Sequence, residues 1–343
     1  MTDGTCLVIT SIAGATPGLE QLARDAQRHG VDFVLVGDGA SPPWTELDGC
    51  DFYSLERQRE LPFELAAICP VGHYARKNLG FLIAMRAGAP VIVETDDDTV
   101  AGEQFWAART RRQSARSVAA SGWVNAYRYF SEAPIWPRGF PIDAARAGVP
   151  QYDSLAVGLV DAPIQQGLVD DDPDVDAIYR MLFDLPFRFE RGPAVALSSG
   201  TWCPFNSQNT TWWRDAFPLL YLPASCSFRM TDIWRSFVAQ RIAWENGWSV
   251  LFHEATVRQL RNAHDLNRDF ADEVPGYLDN RAMCAALDAL QLERGSAHIS
   301  TNMRRSYELL VERGWLDASE LTLLDAWLVD VENACEPAAA MLQ

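Results

Sequence analysis

Lysine is almost missing from this 343-residue chain. Lysine and arginine together number 29, and Lys77 is the one lysine among them. Acidic residues number 46, so the formal net charge is -17 at pH 7. A charge of this sign repels phosphate backbones and anionic lipid, so we expect no nucleic-acid partner. A coding bias explains the excess of arginine, but it makes the single retained lysine a residue to follow.

Long apolar runs and paired cysteines are missing as well. No run reaches the roughly 18 residues of a membrane-spanning helix and no signal-peptide pattern opens the chain, so we expect no integral membrane segment. The seven cysteines are scattered, without a C-x-x-C pair. This pattern favours reduced thiols, a cytoplasmic location and no zinc site. The hydrophobic fraction of 48% is enough for a substantial core.

Buried strands alternate with helices in the N-terminal third of the chain. Strands are predicted over residues 5–12, 31–36 and 90–95. A first helix follows Thr16-Pro17, which supply an N-cap and a proline at the first helical position, and a second helix covers residues 73–86. This order predicts an α/β fold with a Rossmann-like, mostly parallel sheet flanked by helices.

The rest of the chain is less regular. Its arginine-rich segment 104–119 and its apolar segment 231–246 are predicted to be helices. The segments 136–141 and 164–179 are dense in proline, glycine and charge, which is typical of functional loops. From about residue 270 the pattern is helical and amphipathic. We therefore predict a catalytic domain over residues 1–262 and a helical C-terminal subdomain over residues 263–343.

The most informative stretch is the apolar strand that ends in Asp96, Asp97 and Asp98. Ligands collect at the carboxyl ends of strands in open α/β sheets, and carboxylates are oxygen ligands suited to Mg²⁺ or Mn²⁺. Asp96-x-Asp98 therefore resembles the DxD metal site of nucleotide-sugar glycosyltransferases with the GT-A fold. Asp97 is expected on the opposite face if the strand continues. Three acidic residues also suit an ordinary solvated turn, so this stretch alone does not distinguish a metal site from a turn.

Several further motifs agree with the glycosyltransferase interpretation and occur in one order along the chain. They are Ala75-Arg76-Lys77-Asn78-Leu79-Gly80, Trp136-Pro137-Arg138-Gly139-Phe140-Pro141, Ile164-Gln165-Gln166-Gly167, Pro173-Asp174-Val175-Asp176, Pro204-Phe205-Asn206-Ser207-Gln208-Asn209-Thr210 and Asp232-Ile233-Trp234-Arg235. Together they resemble the STELLO family of glycosyltransferase-like proteins and, more distantly, the reversibly glycosylated polypeptides. The resemblance extends over about residues 7–258 and not into the last part of the chain. It implies a GT-A fold, a nucleotide-sugar donor, UDP-linked in our prediction, and a divalent metal.

The resemblance also implies a donor site at the strand ends. Thr10 and Ser11 end the first strand, and Asp38, which ends the second, would accept a hydrogen bond from a uracil N–H or a ribose hydroxyl. Asp38 would equally suit a turn between two glycines. Arg76 and Lys77 would face the nucleotide.

Other polar residues complete the predicted donor and metal sites. Asn78 belongs with the nucleotide-facing motif, and Asn206 and Asn209 would bind sugar hydroxyls. Asp98 is the first candidate for a direct metal ligand, and Asp96 the second, through water or the ribose. His253, after a β-like run, is a candidate third ligand, although a buried histidine with a structural role fits the same pattern.

Asp232 is the candidate catalytic base. A carboxylate at the start of a helix is favourable by itself. The resemblance adds a second role, since an acidic residue there would serve as the general base of an inverting enzyme. Arg235 lies one turn further on the same helical face and could hold the diphosphate or the acceptor. Arg138 suits bidentate binding of phosphate or carboxylate, or a structural salt bridge.

The sequence therefore predicts a metal-dependent, inverting hexosyl- or pentosyltransferase. Its partners would be a nucleotide-sugar donor and a saccharide or other hydroxyl acceptor, with Mn²⁺ or Mg²⁺ as cofactor. Two alternatives stay open: a nucleotide-sugar mutase that needs no acceptor, and an interaction protein that keeps the fold without turnover. The sequence leaves the donor sugar, the acceptor and the oligomeric state undetermined.

Overall fold

Strands and helices alternate in the first third of the chain, and helices dominate its end. The computed structural model describes residues 1, 3–42, 47–260 and 265–335. The strands are β1 (Cys6–Thr10), β2 (Asp32–Val36), β3 (Asp51–Tyr53), β4 (Val91–Thr95), β5 (Thr99–Ala101), β6 (Arg112–Val118), β7 (Gly122–Trp123), β8 (Ala156–Asp161), β9 (Ile164–Asp170), β10 (Val195–Leu197), β11 (Thr201–Trp202), β12 (Asn209–Trp213) and β13 (Val250–Gln259). The helices are α1 (Pro17–Arg28), α2 (Leu55–Arg59), α3 (Glu64–Ile68), α4 (Lys77–Arg86), α5 (Ala177–Leu182), α6 (Thr231–Glu245), α7 (Leu266–Ala289), α8 (Ile299–Glu312) and α9 (Glu320–Cys335).

A mixed 11-stranded sheet forms the centre of the molecule. Its strand order is β3-β2-β1-β4-β12-β9-β13-β10-β6-β8, and β5 pairs with β13. The strands β3, β2, β1 and β4 are parallel, and β12 joins β4 and β9 in antiparallel register. The predicted α/β class, with a large sheet flanked by helices, is confirmed.

Side-chain alternation along the central strands produces two hydrophobic cores. Leu7 and Ile9 of β1 face helix α1, whereas Val8 faces the opposite core, which contains α4. Helix α4 approaches the sheet closely at Gly80, where a Cβ atom would lie 2.6 Å from Val8 Cγ1. Glycine at this position therefore lets α4 pack directly on the parallel strands, and the packing fixes the loop that leads into the helix.

Two segments differ from their predicted structure. The arginine-rich segment contains strand β6, which lies between β10 and β8, and not a helix over residues 104–119. Its arginines have partners in β8 and in the segment just before it. Arg111 Nε donates to Asp161 at 2.6 Å, and the Arg116 guanidinium lies over the Tyr152 ring, 4.8 Å from its centroid, with Nη2 3.4 Å from the exposed carboxylate of Asp153. The spacing of these arginines therefore reflects strand pairing and not a helical face.

The second difference is strand β9, which the sequence suggested to be a loop. It is buried along its whole length between β12 and β13. Its glutamines are compatible with burial because their amides find partners inside the protein. Gln165 Nε2 donates to the carbonyl oxygens of Thr110 and Ala162, and Gln166 Nε2 donates to that of Gly167. Satisfied amides let a polar sequence form a central strand.

The C-terminal helices pack on the same core as the sheet. Trp327 of α9 and Tyr307 of α8 lie in one hydrophobic cluster with Val8 of β1. The predicted boundary between residues 262 and 263 falls in the segment 261–264, outside the described residues. Within the described parts of the chain, no helix combines the length and the apolar character that crossing a membrane requires.

Candidate active site

A cavity of about 480 Å³ opens at the carboxyl ends of β1, β2 and β4. This is the edge of the sheet at which the sequence places the site, because ligands of parallel α/β sheets bind beyond the strand ends. The predicted site residues in its lining are Thr10, Ser11, Asp38, Arg76, Asp96, Asp98, Arg138 and Asp232. The predicted site residues outside its lining are Lys77, Asn78, Asn206, Asn209, Arg235 and His253.

The aspartate run forms the turn between β4 and β5. Asp96 Oδ1 accepts a hydrogen bond from Tyr74 Oη at 3.2 Å, and Asp98 Oδ1 accepts one from Gln259 Nε2 at 2.6 Å. Asp97 also lines the cavity, where its carboxylate accepts a hydrogen bond from Ser11 Oγ. The expectation that Asp97 points to the opposite face is wrong because the chain turns immediately after β4.

Electrostatics set Asp96 apart from an ordinary surface carboxylate. Burial raises its pKa to about 7, Lys77 opposes that shift, and the neighbouring charges of Asp98 and Asp97 add to it. The carboxyl group is thus held where its negative charge is poorly compensated. A cation on the cavity side would relieve this strain.

The donor set fits a divalent cation that is shared with a substrate. Among the described residues, no three histidine, cysteine or acidic side chains form a ready-made metal cluster. Asp96 and Asp98 nevertheless offer two hard oxygen ligands in one cavity, and Mg²⁺ is usually held by one or two carboxylates together with substrate phosphates. The residues fit a cation that arrives with a diphosphate, and not a closed protein cage.

His253 is not brought together with these carboxylates. It lies on β13 with Nδ1 3.0 Å from the carbonyl oxygen of Glu254, and its buried Nε2 has no hydrogen-bond partner. Burial, with a smaller contribution from Arg109, lowers its pKa to about 3. The ring is therefore neutral in the sheet and absent from the cavity lining.

Asp232 lies in the first turn of α6 and faces the cavity. Its two carboxylate oxygens each lie 3.0 Å from Arg138 Nη2, and Oδ2 accepts from Ser207 N at 3.2 Å and Ser207 Oγ at 3.3 Å. Its helix has no side-chain cap. The Asp232 carboxylate therefore does not cap its own helix, and its hydrogen bonds to Arg138 and Ser207 fix its orientation toward the cavity.

Arg138 holds this arrangement through bonds from all three of its guanidinium nitrogens to protein groups. Its guanidinium donates to Asp174 at 2.7 and 2.8 Å, to Asp232 and to the carbonyl oxygen of Arg229. Two residues earlier in the chain, Trp136 Nε1 donates to Asp176 at 2.6 Å. Two motifs that carry the resemblance, residues 136–141 and 173–176, thus bind each other. Arg138 takes the structural salt-bridge alternative considered for it.

Lys77 lies behind the cavity wall and is fully buried. Its Nζ donates to Thr95 O at 2.9 Å and to Tyr74 Oη at 3.0 Å, and lies 3.8 Å from both Glu94 and Asp96. Burial lowers its pKa. The Lys77 amine therefore places a positive charge on the protein side of Asp96, and Tyr74 lies between the amine and the cavity.

Arg235 belongs to the same buried network. It pairs with Glu94 at 2.8 Å and lies over the Trp212 ring, 5.1 Å from its centroid, while Trp212 Nε1 donates to Glu94 at 2.9 Å. Because its charge is used inside the protein, Arg235 does not reach the cavity.

Three predicted asparagines serve the backbone. Asn78 exchanges two hydrogen bonds of 2.9 Å with the backbone of Leu222. Asn206 Oδ1 accepts from Gln208 N at 2.9 Å, and Asn209 Nδ2 donates to Leu168 O at 3.0 Å. All three side chains are buried, and none lines the cavity.

Asp38 and Arg76 line the cavity while they also brace its loops. Asp38 accepts from three backbone N–H groups, those of Gly39, Gly72 and His73, at 2.6–2.9 Å. Arg76 donates to Gln58 at 2.7 Å and to the carbonyl oxygen of Cys69 at 3.0 Å. The turn role considered for Asp38 is thus present, and its carboxylate still borders the cavity.

Sequence reasoning missed four lining residues that organise the site: Tyr74, Gln208, Phe228 and Gln259. Tyr74 directly precedes the motif of residues 75–80, and Gln208 lies inside the motif of residues 204–210, between Asn206 and Asn209. Gln208 Nε2 donates to Gln259, which in turn donates to Asp98. No sequence signal indicated Phe228, whose position depends on how the segment before α6 folds.

Comparisons with known proteins agree with the resemblance. Residues 229–339 match the family model described as STELLO glycosyltransferases. The chain is 28% identical over 337 residues to "Probable glycosyltransferase STELLO1" and 28% identical over 335 residues to "Probable glycosyltransferase STELLO2", both from Arabidopsis thaliana. These alignments cover 91% of this chain but 42% and 43% of the relatives, so the chain spans less than half of their length.

The matches confirm the STELLO resemblance and correct its extent. The expectation that it stops near residue 258 is wrong, since the family match includes helices α7, α8 and α9. Among solved structures, a crystal structure of a mycobacterial protein aligns with a TM-score of 0.40 and 10% identity over 80% of this chain and 74% of that one, a likeness too weak to carry an inference.

Proposed function

We propose that this chain, a relative of the STELLO glycosyltransferases, is a metal-dependent enzyme that transfers a hexosyl or pentosyl group. The donor in this proposal is a nucleotide sugar, UDP-linked, and the acceptor is a hydroxyl group of a saccharide or another molecule. Asp96 and Asp98 would hold Mn²⁺ or Mg²⁺. Asp232 would act as the base of an inverting reaction.

The main support for this proposal is the excess of negative over available positive charge in the cavity lining. Its lining contains six aspartates: Asp38, Asp96, Asp97, Asp98, Asp174 and Asp232. The lining arginines among the described residues, Arg76, Arg138 and Arg229, each donate to protein groups. A nucleoside diphosphate would meet excess negative charge there unless a cation came with it.

Each part of the cavity has a task in the proposed reaction. Thr10, Ser11 and Asp38 border the end where the base and ribose would lie. A cation bound by Asp96 and Asp98 would stabilise the charge that grows on the leaving diphosphate. Asp232, oriented by Arg138 and Ser207, would take the proton of the acceptor hydroxyl.

The proposal is tested by nucleotide binding with and without metal. UDP at about one hundred times its Kd should stabilise the protein by about 2.7 kcal/mol. We expect UDP to raise the melting temperature in the presence of Mn²⁺ and to have almost no effect on it in the presence of EDTA. Asp98→Asn should remove the difference between Mn²⁺ and EDTA, because it replaces a charged ligand by a neutral amide.

Asp97→Asn is the matched control, since Asp97 lies in the same turn and the same cavity but is not a proposed ligand. It should keep most of the metal-dependent stabilisation. Equal stabilisation by UDP with Mn²⁺ and with EDTA would contradict the metal site, and no stabilisation in either condition would contradict the nucleotide donor.

A further inference from the structure

We propose that Phe228 and Gln208 form an acceptor subsite for a sugar ring, so that the acceptor is a saccharide and not a peptide or lipid hydroxyl. This inference rests on the proposed function and narrows its acceptor. It depends on an exposed aromatic ring, a buried amide oxygen without a partner, and the position of both relative to Asp232.

Phe228 presents an aromatic ring to the cavity. The residue is 59% exposed although it lines a pocket. Its ring meets the Tyr74 ring at 5.6 Å and 69°, an edge-to-face contact. An exposed aromatic ring in this cavity is a favourable contact for the apolar C–H face of a pyranose ring.

The segment that carries Phe228 is held in place from two sides. The adjacent Arg229 donates to Glu273 of α7 at 2.7 and 3.0 Å, and both side chains are buried. Ser227 Oγ donates to the carbonyl oxygen of Asp272 at 2.5 Å. Because α7 fixes its neighbours, the ring is presented on a preorganised backbone, which reduces the ordering cost of binding.

Gln208 supplies an unused hydrogen-bond acceptor in the same cavity. Its side chain is 3% exposed and its Nε2 donates to Gln259, but its Oε1 has no partner. A buried polar atom without a partner is destabilising, so a ligand that supplies one gains affinity. A ligand hydroxyl would satisfy this oxygen, and a sugar offers hydroxyls at the edge of a ring whose face is apolar.

Contacts connect the aromatic ring to the proposed base. Tyr74, which touches Phe228, has its hydroxyl 2.5 Å from Ser207 Oγ, and Ser207 Oγ donates to Asp232 at 3.3 Å. The proposed nucleotide end of the cavity, at Thr10 and Asp38, lies at the ends of β1 and β2, whereas Phe228 lies just before α6. The same Tyr74 hydroxyl donates to Asp96 at 3.2 Å. A ring on Phe228 would therefore lie where contacts lead both to the proposed base and to the proposed metal ligand, which is where an acceptor has to meet the donor.

The test measures saccharide binding to the full chain in the presence of UDP and Mn²⁺. The probes are methyl β-D-glucopyranoside, methyl β-D-galactopyranoside and methyl α-D-mannopyranoside, with N-acetylserinamide and octanol as peptide and lipid probes. Saturation-transfer NMR reports which protons touch the protein. We expect at least one glycoside to receive saturation, strongest on the C–H groups of one ring face.

Two variants isolate the aromatic face. Phe228→Tyr keeps the ring and should keep the glycoside signal, whereas Phe228→Leu keeps apolar bulk without a ring and should lower the signal at least fivefold. Neither variant should change the stabilisation by UDP, which also shows that both are folded. An equal glycoside signal in the leucine variant and the unaltered protein overturns the subsite.

Other outcomes are equally decisive. Saturation of the serine or octanol probe without any glycoside signal overturns the saccharide assignment. Stabilisation by UDP without binding of any glycoside means that this inference fails while the donor site stands. Loss of UDP stabilisation in the unaltered protein means that the proposed function itself has failed.

Discussion

Asp232 has contacts that suit two roles, as a base and as one half of a salt bridge. Arg138 Nη2 bridges Asp232 and Asp174, so the two carboxylates share one guanidinium. Both are buried and both line the cavity. If Asp232 served only to hold Arg138, the two aspartates would be equivalent. Asp232, however, lies in the first turn of α6 and accepts hydrogen bonds from Ser207 N and Oγ.

This difference gives a residue-scale prediction. Asp232→Asn should lower kcat by roughly two to four orders of magnitude, the usual contribution of a general base, because the amide keeps the shape but cannot accept the proton. Asp174→Asn, the matched control, should cost much less. Steady-state kinetics with a nucleotide-sugar donor, together with UDP melting shifts, measure both variants.

Similar losses in the two variants would assign Asp232 to the salt bridge. Retention of the anomeric configuration in the product would contradict the inverting mechanism independently of either variant.

At the same scale, sequence reasoning was most informative where a residue ends a strand. Thr10, Asp38 and Asp96 lie in the cavity lining because carboxyl ends of parallel strands share one edge. It was least informative for Lys77 and Arg235. Both stand in recognised motifs, yet their charges are paired with Glu94 inside the protein. Sequence spacing does not reveal whether a charged side chain meets a buried partner or a ligand.

Among the secondary-structure elements, helix α5 is connected to a distant motif through the residue that caps it, Asp176. Asp176 caps it by accepting from Tyr179 N at 2.8 Å, and it also accepts from Trp136 Nε1 at 2.6 Å. Burial raises the pKa of Asp176 to about 7, and the two hydrogen bonds oppose the shift. An aspartate carboxyl in an unfolded chain has a pKa of about 3.9. The folded state therefore binds more protons between these values.

The sign of the pH dependence follows directly. Where the folded state binds more protons, the free energy of unfolding falls as pH rises, here from about 4 to about 7. Asp176→Asn removes the titrating group but keeps a good N-cap residue. Its stability relative to the unaltered protein should therefore be greater at pH 8 than at pH 5, by roughly 1–4 kcal/mol.

Urea unfolding at the two pH values measures this effect, with the exposed Asp184→Asn as control. A stability difference between Asp176→Asn and the unaltered protein that is the same at pH 5 and pH 8 would contradict the assignment.

Elements were predictable to the extent that local pattern decides them. Strands β1, β2 and β4 and helix α6 have apolar runs or capping signals that suffice. Strands β6 and β9 do not, because their polar side chains become compatible with a sheet only through partners elsewhere in the chain. Arg111 donates a hydrogen bond to Asp161, and Gln165 donates one to the carbonyl oxygen of Thr110.

For the molecule as a whole, the C-terminal helices hold segments of the sheet-containing part in place, which the sequence did not suggest. Glu273 of α7 holds the segment before α6, and Glu320 of α9 accepts from Tyr221 Oη and from the N–H groups of Ala224 and Ser225. The division of the chain at residue 262 stays a prediction. The contacts nevertheless place α7 and α9 among the elements that shape the candidate site, in agreement with the extent of the family match.

The last prediction concerns the longest of these connections in sequence. Asp330 of α9 accepts from Glu64 N at 2.9 Å and from Leu65 N at 2.8 Å, at the start of α3. The residue before α3, Phe63, provides no side-chain cap. Asp330 thus caps a helix more than 260 residues away in the chain, and its loss leaves two N–H groups without their acceptor.

Asp330→Ala should lower the free energy of unfolding by about 0.5–2 kcal/mol, the usual cost of losing an N-cap. It should also speed amide hydrogen exchange at Glu64 and Leu65 more than elsewhere in the N-terminal half. Asp325→Ala, on the exposed side of the same helix and paired with Arg304, is the matched control and should leave α3 unchanged. Unaltered exchange at Glu64 and Leu65 in Asp330→Ala would mean that Asp330 does not cap α3 in solution, whatever the effect on overall stability, because these two N–H groups donate directly to its carboxylate.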